Sequence, residues 1–461
     1  MTIIMSAKLF KESIWTHLKN KDIDALKQLL ADHDEVFLIS IMHELSPEEL
    51  VLVYRLLAKD KALSVFEQLE THVQEALLQS FTEEKAIEII TEMDPDDRVR
   101  LLDELPAKVT KRLINALSPQ ERQVTNLLLG FEAETAGRIM TTEYVRLRRD
   151  LTVARALEKV KELAKDKETI YTLYITNEAR ILEGVLSLRE LLTADENLLL
   201  QDIMQTEVIK VSTGMDQEEV ARQMQSLDLL SIPVTDKENR LVGIITIDDA
   251  MDILEKESTE DMYIQAGLST MKNKETDRSH VLIEGSFLEI WKVRLPILLM
   301  VLAGGFLAGL IVEGFEEVLY SIPAVAFFMP LIMDMGGSIG GQSTTIFARG
   351  VVLGHIQPGR FTKQLFKESM VGLSIGVFVG IIAFFAAWLW LGDPMIGLAV
   401  GLALVGSCIV AATFGFLVPA FLLKIGADQA AGAGPIITSI KDISGLLIYF
   451  FLVVTFLQHL L

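Results

Sequence analysis

Five apolar runs in the last third of the 461-residue chain restrict its fold more than any other feature. Each is about 20 residues long, the length that an α-helix needs to cross the hydrocarbon core of a bilayer. One such run could be a core helix of a large soluble protein, but five in succession predict an all-α polytopic membrane domain over residues 293–461. The runs are Leu295–Val312, Ile322–Phe347, Val371–Leu391, Met395–Leu423 and Pro435–Leu457.

The loops between these runs predict the orientation of the chain. The first loop, EGFEEVLYS, has no Lys or Arg, whereas the second carries Arg349, Arg360, Lys363 and Lys367. The third is the short turn LGDP, and the fourth contains Lys424. Basic loops remain on the cytoplasmic side, and the N-terminus lacks the apolar core of a secretory signal. We therefore expect a multi-pass protein of the cytoplasmic membrane with its N-terminus inside and its C-terminus outside.

The part of the chain before the membrane domain is strongly acidic. The whole chain has 42 basic and 63 acidic residues; residues 285–461 hold 8 and 9 of them, which leaves 34 and 54 in the preceding part. Such a field attracts cations and repels phosphates, which argues against a nucleic-acid partner. The single cysteine, Cys408, lies in an apolar run, so a disulfide framework and a Cys-based zinc site are excluded.

Residues 1–133 have the pattern of short helices. The segments LSPEEL, MDPDDR and LSPQER each contain an N-cap residue (Ser46, Asp94 and Ser118) followed by Pro at the first helical position. The spacing from the first cap to the second is twice that from the second to the third, so the caps follow one repeat, which predicts stacked helical hairpins in an all-α superhelix. The aspartates at 94, 96 and 97 either bind metal or only complement the helix dipole, and the sequence leaves both open.

From about residue 134 the pattern changes to alternating strands and helices, and it repeats. ILEGVLSLREL aligns with RLVGIITIDDA, which pairs Gly184 with Gly243. Each copy predicts the order helix, strand, strand, helix. The tandem resembles a pair of CBS domains, over residues 134–200 and 201–261, an α/β regulatory module that often binds adenine nucleotides. Thr246 and Asp249 lie in the segment similar to its ribose and phosphate motif, so ATP is a candidate ligand.

The second copy continues into the acidic segment DDAMDILEKESTEDM. Asp249, Asp252, Glu257 and Glu260 recur at spacings of three to five residues, so they could lie on one side of a helix. Like charges at these spacings destabilise a helix unless something neutralises them. We therefore expect divalent-cation binding here, with a solvated acidic face as the alternative. Residues 262–292 are predicted to form a largely helical connector, or plug helix, to the membrane domain.

Carboxylates inside the apolar runs are the candidates for an ion path, because charge at membrane depth is costly and is usually paired or functional. Asp442 lies in the fifth run, Glu368 opens the third, and Asp334 lies in the second beside GGSIGGQSTT. Mg²⁺ requires oxygen ligands and releases water reluctantly, so a few carboxylates around a hydrated ion suit it. Lys441 is awkward for a cation path, although neighbouring helical residues point about 100° apart and it could face elsewhere.

The glycine-rich stretch in the second run has two interpretations. A helix broken at this stretch would expose carbonyl oxygens to a cation at membrane depth, and we expect such a break. Small residues also let helices approach closely, so close packing is the alternative. For Asp442, the corresponding alternative is a carboxylate neutralised by burial or by Lys441.

In this order, an acidic superhelix, a CBS pair, a connector and five spans resemble the MgtE family of magnesium transporters over essentially the full chain. The matching stretches are EMDPDDRVRLLDELP, ETAGRIMT, TIDDAMDILEKESTEDM, MDMGGSIGGQSTTIFARG and IITSIKDISGLLIYF. The resemblance implies a homodimer with a pore between the subunits that passes Mg²⁺ inward. It also implies that Asp442 is the selectivity carboxylate, that carbonyls near Gly337 complete the site, and that Glu368 and Asp428 are further acidic positions.

The resemblance further implies a cytosolic Mg²⁺ sensor that closes the pore. Its metal-binding residues would come from the superhelix, the CBS pair and the segment before the connector. They are Asp94, Asp96, Asp97, Glu218, Asp228, Asp249, Asp252, Glu257, Glu260 and Asp261. The chain departs from the family pattern at Ser338 and Gly341, where asparagines are common, and at Gln429, where Pro is common; these departures bear on ion selectivity.

Two other functions fit the same pattern. One is an ion-coupled exchanger or exporter of Mg²⁺, Co²⁺ or Mn²⁺, and the other is a membrane-anchored nucleotide sensor that transports nothing. An enzyme is not expected, because the seven histidines are scattered and the sequence has no HExxH motif, nucleophile elbow or phosphate-cradling loop.

Overall fold

The computed structural model describes two compact units, Met1–Glu257 and Ser258–Leu461. Short gaps interrupt both. The residues that it describes are 10, 13–14, 16–17, 22–42, 45–69, 71–165, 167–266, 268, 282–283, 285–352, 354–356, 361–425 and 435–457.

Nine helices in the described part of residues 22–129 begin at a constant interval, which is half the spacing between Asp94 and Ser118. Two consecutive helices therefore form each repeat of the sequence, as the cap spacing predicts. The apolar faces of the first eight share one core that includes Leu26, Phe66 and Leu77, whereas Leu128 of the ninth packs into the core of the second CBS copy. The helices are α1 (Ile23–Ala31), α2 (Glu35–Met42), α3 (Pro47–Leu56), α4 (Lys59–Glu67), α5 (Thr71–Ser80), α6 (Glu83–Glu92), α7 (Pro95–Glu104), α8 (Ala107–Ala116) and α9 (Pro119–Leu129).

The predicted caps explain where three of these helices begin. Pro follows the cap at the first position of α3, α7 and α9. The Ser118 hydroxyl accepts a hydrogen bond from the Glu121 N–H at 3.3 Å, and the Glu49 carboxylate accepts one from the Ser46 N–H at 2.8 Å. Asp94 occupies the N-cap position of α7, but its side chain makes no capping hydrogen bond to that helix.

The remainder of the first unit contains two three-stranded sheets of the same topology. In each, the first strand is parallel to the second, and the second is antiparallel to the third. The buried hydroxyls of Tyr174 and Ser231 join the two copies at 2.7 Å. The strands are β1 (Tyr144–Arg148), β2 (Thr169–Thr176), β3 (Leu182–Ser187), β4 (Val211–Ser212), β5 (Ser231–Thr235) and β6 (Leu241–Thr246).

The predicted order of helix, strand, strand, helix is therefore wrong by one strand in each copy. β4 has two residues, too few to show the alternation by which strands are predicted. β1 alternates between buried and less buried residues, as a strand should. It was missed because it runs directly into the charged residues Arg149 and Asp150, which are typical of a turn. The helices of this region are α10 (Ala136–Ile139), α11 (Val153–Leu163), α12 (Leu188–Thr193), α13 (Leu200–Ile203), α14 (Gln217–Ser226) and α15 (Ile247–Gln265).

The described residues of the second unit include five helical segments that are long and apolar enough to cross a membrane, which confirms the predicted number. Each predicted run overlaps one segment. The elements are α16 (Phe287–Gly314), α17 (Glu316–Ser321), a 3₁₀ helix (Pro323–Phe328), α18 (Met329–Val352), α19 (Phe361–Leu391), α20 (Pro394–Lys424) and α21 (Pro435–Phe456).

α20 lies at the centre of this unit and packs against α18, α19 and α21. The backbones of α19 and α20 approach closely where Gly380 faces Gly401. A Cβ atom on either glycine would lie 2.6–2.8 Å from the carbonyl oxygen of the other. Small residues permit this approach, as expected for helices packed in a membrane.

α16 begins at Phe287, where Ser286 and Glu289 form a capping box, so the last residues of the predicted connector 262–292 are helical and continue into the first span. Residues 269–281 of that connector lie outside the described residues. One expectation about the membrane unit is wrong: the second span has no break, since α18 runs without interruption through its glycines. An unbroken helix pairs its own backbone N–H and C=O groups, for which the bilayer core offers no hydrogen-bond partners.

Candidate metal sites

The start of α7 brings three acidic residues together, and we call Glu67, Asp94 and Asp97 the α7 cluster. One carboxylate oxygen from each lies within 4.8 Å of the others. Glu67 is the last residue of α4, and its Oε1 accepts a hydrogen bond from the Asp94 N–H at 3.3 Å. Burial, together with the negative charges of Asp97 and Asp94, raises the pKa of Glu67 to about 8. This cluster therefore holds more negative charge than its surroundings stabilise.

A second group, which we call the shared cluster, takes one residue from each of three parts of the first unit. Asp96 comes from α7, Glu168 directly precedes β2 in the first CBS copy, and Asp249 lies in the first turn of α15 in the second copy. Their carboxylate oxygens also lie within 4.8 Å of one another. The Thr246 hydroxyl donates to Asp249 Oδ2 at 2.9 Å. The cluster therefore joins the superhelix to both CBS copies.

The shared cluster is buried and incompletely hydrogen-bonded. Asp96 is 9% exposed, and its Oδ1 and the Oε2 of Glu168 are buried with no hydrogen-bond partner among the described residues. A buried acceptor left in this way costs about 1–3 kcal/mol. Burial and then the charge of Asp249 raise the pKa of Asp96 well above its usual range. Burial is also the main cause that raises the pKa of Glu168 to about 7 and that of Asp249 to about 6.

A divalent cation would stabilise the crowded carboxylates of the shared cluster and would also bind the oxygens that lack hydrogen-bond partners. Mg²⁺ binds carboxylate oxygens and retains water molecules as its other ligands. It would supply positive charge to three crowded carboxylates and a partner to the Asp96 and Glu168 oxygens just described. The composition of the cluster therefore fits a hard divalent cation.

Arg100 partly neutralises the acidic residues around α7. Its Nη2 lies 2.5 Å from Asp97 Oδ1 and donates to the Glu67 carbonyl oxygen at 3.3 Å, and its Nη1 lies 4.0 Å from Asp252 Oδ2. The Asp252 side chain is 63% exposed, so it borders the acidic region rather than lying inside it.

Several predicted metal ligands lie outside both clusters of the described residues. Glu218 forms an ion pair with Arg222. Asp228 is exposed in a left-handed conformation with φ of 53°. The Glu257 carboxylate accepts a hydrogen bond from Gln217 Nε2 at 2.9 Å. Glu260 and Asp261 follow on α15 and belong to the second unit.

Glu67, Glu168 and Arg100 were not predicted from the sequence. Glu67 and Asp94 are separated by slightly more than one repeat of the superhelix, and this spacing could have indicated that the two lie on neighbouring turns of it. Glu168 gave no comparable signal, because its position depends on how the first CBS copy packs against α7.

In the membrane unit, the glycine-rich stretch binds a lysine side chain. Lys441 Nζ donates to the Gly337 carbonyl oxygen at 2.8 Å, and Lys441 is 4% exposed. Gly340 makes room for it, since a Cβ atom there would lie 2.3 Å from Lys441 Cδ. Lys441 therefore faces α18, and the structure shows a close-packing role for Gly340.

The other predicted acidic residues of this unit have less enclosed positions. Asp442 is half-buried. Glu368 is also half-buried and accepts a hydrogen bond from the Ser343 hydroxyl at 2.7 Å. Asp334 is exposed on α18, and Asp428 lies outside the described residues.

Comparison with known proteins identifies the family. Residues 33–134 match the MgtE intracellular N domain, residues 136–197 and 200–256 match the CBS domain, and residues 329–452 match MgtE, a divalent cation transporter. The chain is 33% identical over 441 residues to the magnesium transporter MgtE of Thermus thermophilus, which covers 95% of this chain and 96% of that protein. The chain belongs to the MgtE family.

Other members of the family and their structures agree with this assignment. The magnesium transporter MgtE of Bacillus subtilis is 31% identical over 433 residues, 91% of this chain and 94% of that protein. A crystal structure of the cytosolic domain of the Mg²⁺ channel MgtE in complex with ATP covers 52% of this chain and 98% of its own, with 38% identity and a TM-score of 0.50. A crystal structure of the soluble part of a magnesium transporter covers 55% of this chain and 99% of its own, with 31% identity and a TM-score of 0.51. The predicted multidomain fold, a helical N-domain, a CBS pair and a five-helix membrane region, is confirmed.

Proposed function

We propose that this protein is a Mg²⁺-selective, channel-like transporter that imports Mg²⁺ across the cytoplasmic membrane and closes when Mg²⁺ binds its acidic cytosolic unit. The shared cluster carries this proposal, because it combines three crowded carboxylates from separate parts of the first unit with two oxygens that have no partner among the described residues. The names of the long relatives, magnesium transporters that cover more than nine-tenths of this chain, support the choice of ion.

Charge supplies the gating mechanism. Without Mg²⁺, the compact arrangement requires Asp96, Glu168 and Asp249 either to repel one another as carboxylates or to take up protons, and both costs favour separation of the superhelix from the CBS pair. A bound Mg²⁺ attracts all three and stabilises the compact arrangement. Because a ligand shifts an equilibrium only by its differential affinity for the two states, closure requires that Mg²⁺ bind the compact arrangement more tightly. α15 carries this change onward, since it continues from the second CBS copy past Glu257 into the second unit.

For permeation, we propose that Asp442 from each subunit of a homodimer holds a hydrated Mg²⁺ in the membrane, with the N-terminus of each chain in the cytoplasm. Two carboxylates provide charge and oxygen ligands while the ion keeps most of its water. The basic second loop of the sequence supports this orientation.

We also propose that ATP binds the CBS pair near Thr246 and Asp249 and modulates gating. Support comes from the related cytosolic domain, which was crystallised with ATP. Asp249 belongs to the shared cluster as well, so bound ATP would alter the charge next to the metal ligands. Linkage then requires Mg²⁺ and ATP to affect the affinity of each other.

Mg²⁺ flux into proteoliposomes tests the transport proposal. We expect wild-type protein to pass Mg²⁺ and Asp442→Asn to reduce the initial rate at least tenfold, because the carboxylate charge is lost while the size is kept. Asp393→Asn, at the N-cap of α20, is the control and should behave as wild type, because asparagine caps a helix as well as aspartate does. A wild-type protein that passes no Mg²⁺ would favour a membrane-anchored sensor, and currents whose reversal potential follows pH or Na⁺ would favour an exchanger.

A further inference from the structure

Lys441 is the buried cation of the membrane unit. Every other Lys or Arg that the structure describes in residues 285–457 is exposed. An ammonium at membrane depth is costly unless it is paired or has a function. Its position next to Asp442 in the sequence therefore calls for an explanation.

The structure pairs the Lys441 ammonium with a backbone carbonyl rather than with the Asp442 carboxylate. Nζ donates to the Gly337 carbonyl oxygen on α18, and the side chain occupies the space that Gly340 leaves open. The Ala411 carbonyl oxygen of α20 borders the same space, 3.2 Å from where a Gly340 Cβ would lie. Among the ion pairs formed by described residues, none joins Lys441 to Asp442. The positive charge is therefore fixed within the helix bundle, one residue along α21 from the carboxylate.

We propose that Lys441 is a positioning residue that sets the strength with which Asp442 holds the permeating cation. This inference rests on the proposed function. A conduction site must attract an ion enough for it to enter and weakly enough for it to leave. In a dimer, two Asp442 carboxylates with two fixed Lys441 ammonium groups nearby have a net charge near zero. Without the ammonium groups, the same carboxylates would hold a divalent ion too tightly for fast release.

Substitution of Lys441 in the full chain tests this effect through two separate quantities. We expect Lys441→Met to lower the Mg²⁺ concentration for half-maximal flux into proteoliposomes by about fivefold or more, because charges within several ångströms interact strongly in a medium of low dielectric constant. The maximal flux should fall at the same time, because release becomes slower. Lys441→Arg keeps the charge and a donor for Gly337, and should retain a half-maximal concentration within about twofold of wild type.

The matched control is Lys424→Met, the same chemical change at an exposed lysine that ends α20, which should leave both quantities unchanged. Gel filtration establishes that each variant is folded, and Lys441→Gln replaces Lys441→Met if the latter aggregates. The proposal is overturned if the neutral variant keeps both wild-type quantities, or if the neutral and Arg variants lose flux equally without a change in the half-maximal concentration. Absence of Mg²⁺ flux in the wild-type protein would instead overturn the proposed function and this inference together.

Discussion

Asp96 has different carboxylate neighbours from Asp94 and Asp97, although all three lie at the same helix start. Asp94, Asp96 and Asp97 all belong to MDPDDR, but among the described residues Asp96 clusters with Glu168 and Asp249 of the CBS copies, whereas the other two cluster with Glu67. If these aspartates only complemented the helix dipole, they would not need other acidic residues nearby. Each of them instead has a carboxylate oxygen within 4.8 Å of those of two other acidic residues. The local sequence predicts the helix start, and the packing decides which carboxylates meet.

Asp96→Asn should separate Mg²⁺ sensing from transport. The amide keeps the side-chain size and one carbonyl oxygen but carries no negative charge, so the shared cluster attracts Mg²⁺ less strongly. We expect the Mg²⁺ concentration that half-closes the transporter to rise about tenfold or more, corresponding to about 1.4 kcal/mol or more of lost coupling. Patch-clamp recording with varied cytosolic Mg²⁺ measures this shift. Asp24→Asn, exposed on α1, is the control, and an equal shift in both variants would contradict a role for the cluster.

Glu67 should make the stability of the soluble unit depend on pH. Its pKa is raised from 4.5 to about 8, so the folded chain retains a proton that the unfolded chain has already released. Stability is therefore lost as pH rises from about 4.5 towards 8. In EDTA, we expect the free energy of unfolding of residues 1–265 to be about 1–2 kcal/mol lower at pH 8 than at pH 6, given about 1.4 kcal/mol per pKa unit and partial exposure.

Urea titration at the two pH values measures this change, and circular dichroism first establishes that the fragment is folded. Glu67→Gln should be less dependent on pH, because its side chain does not titrate. Glu75→Gln, on α5 outside both clusters, is the control. Equal pH dependence in wild type and Glu67→Gln would refute the assignment to Glu67.

At the scale of elements, the sequence predicted helices better than strands and better than interruptions. N-caps followed by Pro gave the starts of α3, α7 and α9, because those rules depend on one turn of chain. β1 and β4 were missed because short strands depend on pairing with distant residues. The predicted break in α18 was wrong because glycine composition alone does not distinguish a broken helix from a closely packed one.

Gly340→Ala tests whether α18 needs its glycine for packing. The added Cβ would lie 2.3 Å from Lys441 Cδ and 3.2 Å from the Ala411 carbonyl oxygen, so a lysine and a neighbouring backbone must both shift. Overpacking of this kind typically costs about 1–3 kcal/mol, and we expect a lower melting temperature in detergent. Gly341→Ala is the matched control, because no atom of the described residues lies within 4 Å of its added Cβ. If Gly341→Ala lowers the melting temperature as much as Gly340→Ala does, helix propensity or subunit contacts explain the result instead.

At the scale of the whole molecule, the charge is divided unequally between the soluble and membrane parts. Nearly all of the acidic excess lies before position 285, and the rest of the chain is close to neutral. This division could be read from the sequence, and so could the order of superhelix, CBS pair and membrane helices. The sequence could not show that Glu168 joins Asp96 and Asp249, because that depends on contacts between parts that are distant along the chain.

Divalent and monovalent cations should therefore affect the full-length protein differently. K⁺ screens surface charge in proportion to ionic strength, whereas Mg²⁺ can bridge carboxylates. We expect about 10 mM MgCl₂ to protect the chain between α9 and β1 from trypsin, and KCl of equal ionic strength to give little protection. In the triple variant Asp96→Asn, Glu168→Gln and Asp249→Asn, Mg²⁺ should protect no better than KCl. Equal protection by both salts in the wild type would show that screening alone is sufficient.

The constant interval between helix starts in the superhelix would allow its length to vary without disturbing the carboxylates of the α7 cluster. Deletion or duplication of one two-helix hairpin ahead of Lys59 would leave α4 and α7 in register, because every later helix keeps its phase. Gain or loss of a single helix would instead reverse the direction of the helices that precede it. Homologous transporters with longer or shorter arms are therefore expected to differ by whole hairpins.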